Sequence, residues 1–333
     1  MVRFRFRPLE TQELTQADNT EQKMEIPRDA YIRRIFMRLY MQVNSGSAVS
    51  LNEDNPMSLI KTVRLEDGYG FQYLNCKFAY LHYLNCFDSE EVQPRKKTPS
   101  TASQTNQSAY AFAVFDTRVN PQDPNDISAL IPAEELSSLN LFVNWGAEAD
   151  LDSGSGFNIN WAKLQVVIEE VLLTQQEKAS LFGSRLERLL KPKISEDVKT
   201  IDASYSDLKF QYNLPMGAWL KRSALITILN GVRSNALISK YQIKQEKPEG
   251  IELATYTWDI AQMINKHEYN LADPIESDQI TLAGFVLEDY KDITKILTGL
   301  ATHGLDLGSI TIRANTSTPT GTTQLRVINH EFH

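Results

Sequence analysis

Chemistry in a protein needs reactive side chains gathered at one place, and the candidates in this chain are few. Its five histidines are His82, His267, His303, His330 and His333. A metalloenzyme built on a β-sandwich takes close histidines and a carboxylate from adjacent strands, and neither half of the chain offers that set. His330 and His333 stand three apart at the chain end, where a strand places them on opposite faces. Cys76 and Cys86 lie ten residues apart in "YLNCKFAYLHYLNC" with no further ligand at metal-binding spacing. They read as two reduced core thiols. Asp150 and Asp152, before "SGSG", resemble the start of a calcium loop but lack its later ligands. Glu169 and Glu170 are neighbours in an apolar segment, so in a strand they face opposite ways and cannot flank one glycosidic bond. One of them turned inward needs a partner, for instance an arginine across an interface. "GLATHGLDLG" lacks the lysine of a phosphate-binding loop, and no G-x-S-x-G elbow occurs. The expectation is a protein with no catalytic residues, no cofactor and no bound metal.

Composition narrows the class further. The 333 residues suffice for two domains, 42% of them are hydrophobic, and 34 basic against 42 acidic residues leave a formal net charge of -8. A surface given over to phosphate binding would be basic, so sequence-specific nucleic-acid recognition is not expected. The start, "MVRFRFRPLE", lacks the apolar core of a signal peptide, and no apolar run reaches the length of a membrane span. A soluble protein made without secretion is expected.

The elements that would hold any site show a repeat. "IPRDAYIRR" at 26–34 is echoed by "LPMGAWLKR" at 214–222. After the first copy, Ile35, Met37, Leu39, Met41 and Val43 alternate with Arg34, Phe36, Arg38, Tyr40 and Gln42, the period of a half-buried strand. After the second, the apolar phase moves to Ala224, Ile226 and Ile228, one register off, which a bulge could absorb unless the two strands face their cores differently. "AYAFAVF" puts Tyr110, Phe112 and Val114 on one face and Ala109, Ala111 and Ala113 on the other. Asp126 is a candidate N-cap for a short helix limited by Pro132, followed by a strand, "LNLFVNW", and a long central strand, "FNINWAKLQVVIEEVLL". The same order returns with "DQITLAGFVL", a helix over 288–304 carrying Tyr290, Ile293, Ile296, Leu297 and Leu300 and stopped at Gly304, then "SITIRAN" and "QLRVINHEF". Leu325, Val327 and Glu331 fall where Leu164, Val166 and Glu170 fall. Between the halves, "TQQEKASLFGSRLERLL" reads as a connector helix with Leu181, Leu186, Leu189 and Leu190 in its stripe, ended by Pro192. Residues 88–108 hold almost no apolar side chain and read as an exposed loop, with Arg95, Lys96 and Lys97 at its tip.

The repeated strand starts, the strand–helix–strand units at 109–145 and 280–314, the helical connector and the missing catalytic set together resemble one family. It is the double jelly-roll major capsid proteins of icosahedral viruses, especially tailless, membrane-containing bacteriophages. The resemblance covers about residues 22–333. It implies an all-β fold of two eight-stranded jelly-roll sandwiches in tandem, each with a helix after the sixth strand. The domains would be an N-terminal arm over 1–21, a first jelly roll over 22–173, a helical connector over 174–200 and a second jelly roll over 201–333. It implies a structural subunit whose trimers, six barrels in a near-hexagonal ring, tile an icosahedral virion shell around an inner membrane. Partners would be further copies of the chain, minor capsid, penton or spike proteins, and inner-membrane lipid; synthesis would be in the host cytoplasm.

The arm carries the remaining candidate contact. Arg3, Arg5 and Arg7 alternate with Phe4 and Phe6, so a strand would have one basic and one aromatic face, suited to an anionic bilayer on the capsid's inner side. The alternative is a strand added to a neighbour's sheet edge. Two rival functions are a glycan-amidase-like hydrolase with acidic residues between two barrels, and a carbohydrate-binding double sandwich stacking sugars on exposed tryptophans. Trp145, Trp161, Trp219 and Trp258 mostly fall in strand patterns, which favours core burial.

Overall fold

The computed structural model describes all residues except 1–2, 10–12, 47, 90–92, 155–156, 183–188, 248–249, 272–282, 292–298 and 307. The chain divides into two compact units at Pro192/Lys193, and both are β-sandwiches. In the first unit the strands are β1 (Arg3–Pro8), β2 (Leu14–Thr15), β3 (Glu21–Glu25), β4 (Tyr31–Ser45), β5 (Ile60–Asp67) and β6 (Gln72–Cys76). Helix α1 (Phe78–Ser89) follows, then β7 (Arg95–Lys96), β8 (Gln107–Asp116), β9 (Leu139–Trp145), the short helix α2 (Glu148–Leu151), β10 (Phe157–Leu172) and helix α3 (Gln175–Phe182). One sheet runs β1-β10-β4-β8, with β2 and β7 added to β10 and β8; the other runs β3-β9-β5-β6. These neighbouring strands pair antiparallel.

Side-chain size explains how the first sheet packs. The alternation in β4 is that of a strand, and Ile35, Met37, Leu39, Met41 and Val43 are all buried. Met37, Leu39 and Met41 lie opposite Ala113, Ala111 and Ala109, so large residues on one strand meet small ones on the next in the interior. Tyr110, Phe112 and Val114 therefore take the outer face. On the other side β10 pairs with β4 along nearly its whole length and brings Leu164, Val166 and Ile168 to the same core.

The second unit repeats this plan. Its strands are β11 (Pro192–Thr200), β12 (Tyr205–Asn213), β13 (Trp219–Leu229), β14 (Val232–Arg233), β15 (Ile238–Gln245) and β16 (Ile251–Thr257). Then come helix α4 (Trp258–Glu268), β17 (Phe285–Asp289), β18 (Leu300–Ala301), β19 (Ile310–Thr316) and β20 (Gln324–Phe332). One sheet contains β11-β20-β13 with β14, β17 and β18 also on β13; the other is β12-β19-β15-β16. Strand for strand, β11-β20-β13-β17 matches β1-β10-β4-β8, and β12-β19-β15-β16 matches β3-β9-β5-β6. Each unit is an eight-stranded jelly roll, and the whole is a double jelly roll; in each unit the helix, α1 or α4, follows the fifth of those eight strands, not the sixth as the resemblance implied.

Several sequence expectations change. Asp126 caps no α-helix; its carboxylate accepts the Asn120 and Ser128 backbone N–H groups at 2.7 and 2.8 Å, closing a turn. Only a 3-10 turn, Ala133–Glu135, follows Pro132, because proline removes a donor and blocks the preceding turn. The helices instead sit at α1 and α4. The segment 88–108 is not simply an exposed loop: Arg95–Lys96 pair with β8, and Thr98 is buried against the Asn55 side chain. The one-register shift after Arg222 is not a slip. Leu225 belongs to the second core, in the place of Met37, while Ala224, Ile226 and Ile228 are also buried; β13 is apolar on both faces, so period two disappears. Of the helix expected over 288–304, Tyr290 and Lys291 are helical, Leu300–Ala301 form a strand, Gly304 has a positive φ of 72°, and Ile293, Ile296 and Leu297 lie outside the described residues. Ile280 and Leu282 also lie outside them. The connector is helical over Gln175–Phe182, with Leu186 outside the described residues and Leu189 buried.

Candidate functional site

The start of β4 carries the echo, and the structure places the chemistry-bearing residues around it. Tyr31, 1% exposed, packs with Leu130, Val171 and Leu189. Beyond it, β4 carries a bulge opposite Glu169 and Glu170 of β10: Ile32 pairs with Glu170 and Arg34 with Glu169, leaving Arg33 as the extra residue. Both carboxylates are buried. Glu169 accepts from Arg34 Nε and Nη2 at 2.5 and 3.1 Å and has Arg33 Nε at 3.8 Å. Glu170 accepts from Arg5 Nε at 2.5 Å and Arg7 Nη1 at 3.4 Å, and the same arginines reach Asp29 at 3.2 and 2.5 Å.

These partners lie in the same unit, so the arginine expected across an interface is supplied from within. Hydrogen bonding to Glu170 holds Arg5 above its ordinary pKa. Burial alone would raise Asp29, but its own backbone hydrogen bond and Arg7 and Arg5 outweigh this and hold it below the usual carboxylate range. Burial pulls Arg33 down despite Glu169, and its guanidinium lies 4.6 Å from the Phe4 ring centroid. An acidic pair bound by arginines on both sides fastens strands together.

The second unit builds the same joint with other residues. Leu220 pairs with Glu331 and Arg222 with His330, and Lys221 is the extra residue in the bulge. Glu331 is buried and accepts from Ser195 Oγ at 3.2 Å, with Lys193 Nζ at 3.6 Å and His333 Nε2 at 3.1 Å. In both units, then, a buried glutamate on the strand at the chain end of the roll is met by basic groups from the next strand, β1 or β11. The predicted coincidence of Glu170 and Glu331 is a coincidence of register, down to the bulge.

The arm residues fall as follows. Arg3–Pro8 form a strand of the first unit's own sheet, paired from Arg3↔Leu172 to Pro8↔Val167. Phe4 packs beside the Tyr31 cluster, and Arg5 and Arg7 hold Glu170 and Asp29. Arg3 and Phe6 remain exposed, Phe6 at 58%. Phe6 begins an aromatic file on the outer face: Phe36 lies 6.0 Å away and Phe112 6.1 Å beyond. Tyr40 meets Trp161 edge-on at 4.9 Å, and exposed Arg38 covers Tyr40 at 4.8 Å.

The other candidates serve structure. Asp150 accepts the Ala147 N–H at 2.8 Å and lies 3.2 Å from Lys61 Nζ, while Asp152 accepts the Ser50 N–H. Among the described residues no group of three or more His, Cys, Asp or Glu side chains converges. Both cysteines are free and buried. Trp145 and Trp258 are buried, and Trp161 and Trp219 are half-buried against Tyr40 and His303; no tryptophan offers a flat exposed face for a sugar.

Sequence reading missed one repeated device. In α1, Asn85 Nδ2 donates to the Val114 carbonyl at 2.8 Å and its Oδ1 accepts the Val114 N–H at 2.7 Å, while His82 Nδ1 lies 2.6 Å from the Phe112 carbonyl. In α4, Asn265 does the same to Leu287 at 2.8 and 2.7 Å, and Gln262 Nε2 donates to the Phe285 carbonyl at 3.1 Å. Each asparagine amide stands where the next strand's peptide would be and closes the edge of β8 or β17. Asparagine and, three residues before it, a histidine or glutamine within a helix are too common to signal this by themselves.

No protein-family model matches this chain, and neither does any curated protein. Solved structures do. The STIV MCP superposes with a TM-score of 0.81 at 19% identity, over 99% of this chain and 96% of that one. The Faustovirus major capsid protein gives 0.63 at 9% identity over 100% and 90%, and the major capsid protein P2 of bacteriophage PM2 gives 0.57 at 10% identity over 99% and 97%. At these identities the likeness to capsid proteins shows a shared fold.

Proposed function

We propose that this chain is a major capsid protein, a structural subunit that assembles with copies of itself into an icosahedral virion shell. The observation that carries this is the match of both jelly rolls, end to end, to the STIV MCP at a TM-score of 0.81. The site chemistry agrees with it. The buried charges are spent on joining strands, and the tryptophans that a sugar-binding protein would expose are packed. The finer reading is a trimer of near six-fold outline that tiles the shell around an inner membrane, contacts minor capsid, penton or spike proteins, and is made in the host cytoplasm. Two similar barrels in each of three subunits imitate six, which supports the outline. For contact with lipid, β1 contributes exposed Arg3 and Phe6.

Electron microscopy and sedimentation of the purified chain test the reading. The expected particle is a trimer with a near-hexagonal outline. A monodisperse monomer at micromolar concentration, or a two-fold dimer, overturns it.

A further inference from the structure

The edges of the sheets are treated unequally. Those of β8 and β17 are closed by Asn85 and Asn265. That of β12 is interrupted at Asp207 and Leu208, both with positive φ. Among the described residues β1 is joined only to β10, β3 only to β9 and β16 only to β15. An open edge is a row of unpaired backbone groups ready for another strand.

The edges of β1 and β16 carry opposite character. Along β1 stand exposed Arg3 and Phe6, with the Phe36–Phe112 file and exposed Arg38 on the sheet behind. Along β16 and the helix it leads into stand exposed Glu252, Asp259 and Glu268. Between them are Ile251, Ile260, Met263 and Ile264, exposed at 44, 50, 67 and 39%. Helix α4 buries Trp258, Ala261, Gln262 and Asn265, yet turns Ile260, Met263 and Ile264, spaced for one helical face, toward solvent. In the first unit the corresponding helix positions, Tyr80, Tyr83 and Leu84, are about 1% exposed, and Tyr83 bonds Asp54 of its own unit. The same face is covered in one copy of the repeat and bare in the other.

We infer that a second copy of this chain covers it, the β1 edge of one subunit adding to the β16 edge of the next while Phe6 and its aromatic neighbours cover Ile260, Met263 and Ile264. Basic and aromatic groups on one patch meet acidic and aliphatic groups on the other. Because the two patches differ, the contact is head-to-tail, and repeating it closes a ring or runs on as a filament. The inference rests on the capsid reading and names the surfaces that this assembly uses.

Two surface variants of the full chain test it. One is R3E/F6D, the other I260D/M263D; none of these four residues belongs to a core. Each variant alone is expected to sediment as a monomer at a concentration where the parent assembles. Each retains one sound patch, so an equimolar mixture is expected to form a one-to-one heterodimer and nothing larger. A mixture that stays monomeric, or either variant assembling like the parent, overturns the contact while leaving the capsid reading standing. A parent that never assembles overturns both. If R3E/F6D assembles normally but loses binding to vesicles of anionic phospholipid, the β1 edge faces lipid instead and the contact is wrong.

Discussion

Burial pushes Glu288 of β17 and His82 of α1 in the directions an acid and a base must go. Glu288 lies in the second core, accepts a hydrogen bond from Tyr241 Oη, and is pushed up by burial to about 7. An acid whose pKa rises on folding contributes stability that is complete below its unfolded value of 4.5 and is lost as pH climbs through about 7. E288Q should remove that loss, making the protein more stable above pH 7 by about 3 kcal/mol and flattening its denaturant midpoint over that window. His82 runs the other way. Burial pulls it down to about 4, so its stability is present above 6.5 and lost as pH falls through about 4. Gln262 occupies the matching place in the other unit, and H82Q should therefore keep the bond to Phe112 and flatten the acid side alone. The aromatic rings of the echo are not equal. Tyr31 is 1% exposed and should cost about 3 kcal/mol or more on replacement by alanine. Half-buried Trp219, edge-on to His303 at 5.9 Å, should cost distinctly less. Equal losses in thermal melts would show that the two starts bear the same load.

A jelly roll must end its sheets somewhere, and in each unit a helix does this with one asparagine. The amide supplies a donor and an acceptor at the spacing of a peptide, so the edge strand is satisfied without offering a template to another chain. N85A and N265A should each leave a backbone N–H and C=O unpaired, at about 1–3 kcal/mol per group. Hydrogen exchange should rise at Val114 or Leu287 respectively, and the variants should aggregate through the opened edge on mild heating. If exchange at these amides does not change, the helix shields the edge by packing and the amide is incidental. The glutamate joint is the second repeated element. Removing β1 takes away Arg5 and Arg7 and leaves Glu170 buried without its two arginines, a loss of about 3–5 kcal/mol. A chain lacking residues 2–8 should therefore melt earlier in calorimetry.

Two cores in one chain set what the whole molecule can show. The missing strand belongs to the first unit, so that deletion should shift only the part of the unfolding profile due to residues before Lys193. Proteolytic fragments collected during the melt would identify which unit opens; early cleavage spread over both would mean that the units unfold as one. The charge of -8 is carried by mixed surfaces. Yet exposed Ile251, Ile260, Met263 and Ile264 gather on β16 and α4, and exposed Arg3 and Phe6 stand on β1. Assembly should accordingly weaken with added salt where the basic and acidic patches carry it, while the apolar part persists.

Period-two alternation made β4, β9, β19 and β20 legible from residues alone, because a strand with one wet and one dry face writes its own pattern. Duplication was legible for the same reason: Tyr31 and Trp219, Glu170 and Glu331 hold like places in like strands. Where a segment is buried on every side, as α1 and β13 are, no pattern survives, and the helix and the register of β13 came only with the folded chain. Helix α4 misleads more actively, since it buries Gln262 and Asn265 while Ile260, Met263 and Ile264 face solvent. The partners of Glu169 and Glu170 were also beyond the sequence. Arg5 and Arg34 reach them across more than 130 residues of chain, and only the closing of the sheet around β10 brings those charges within hydrogen-bonding distance.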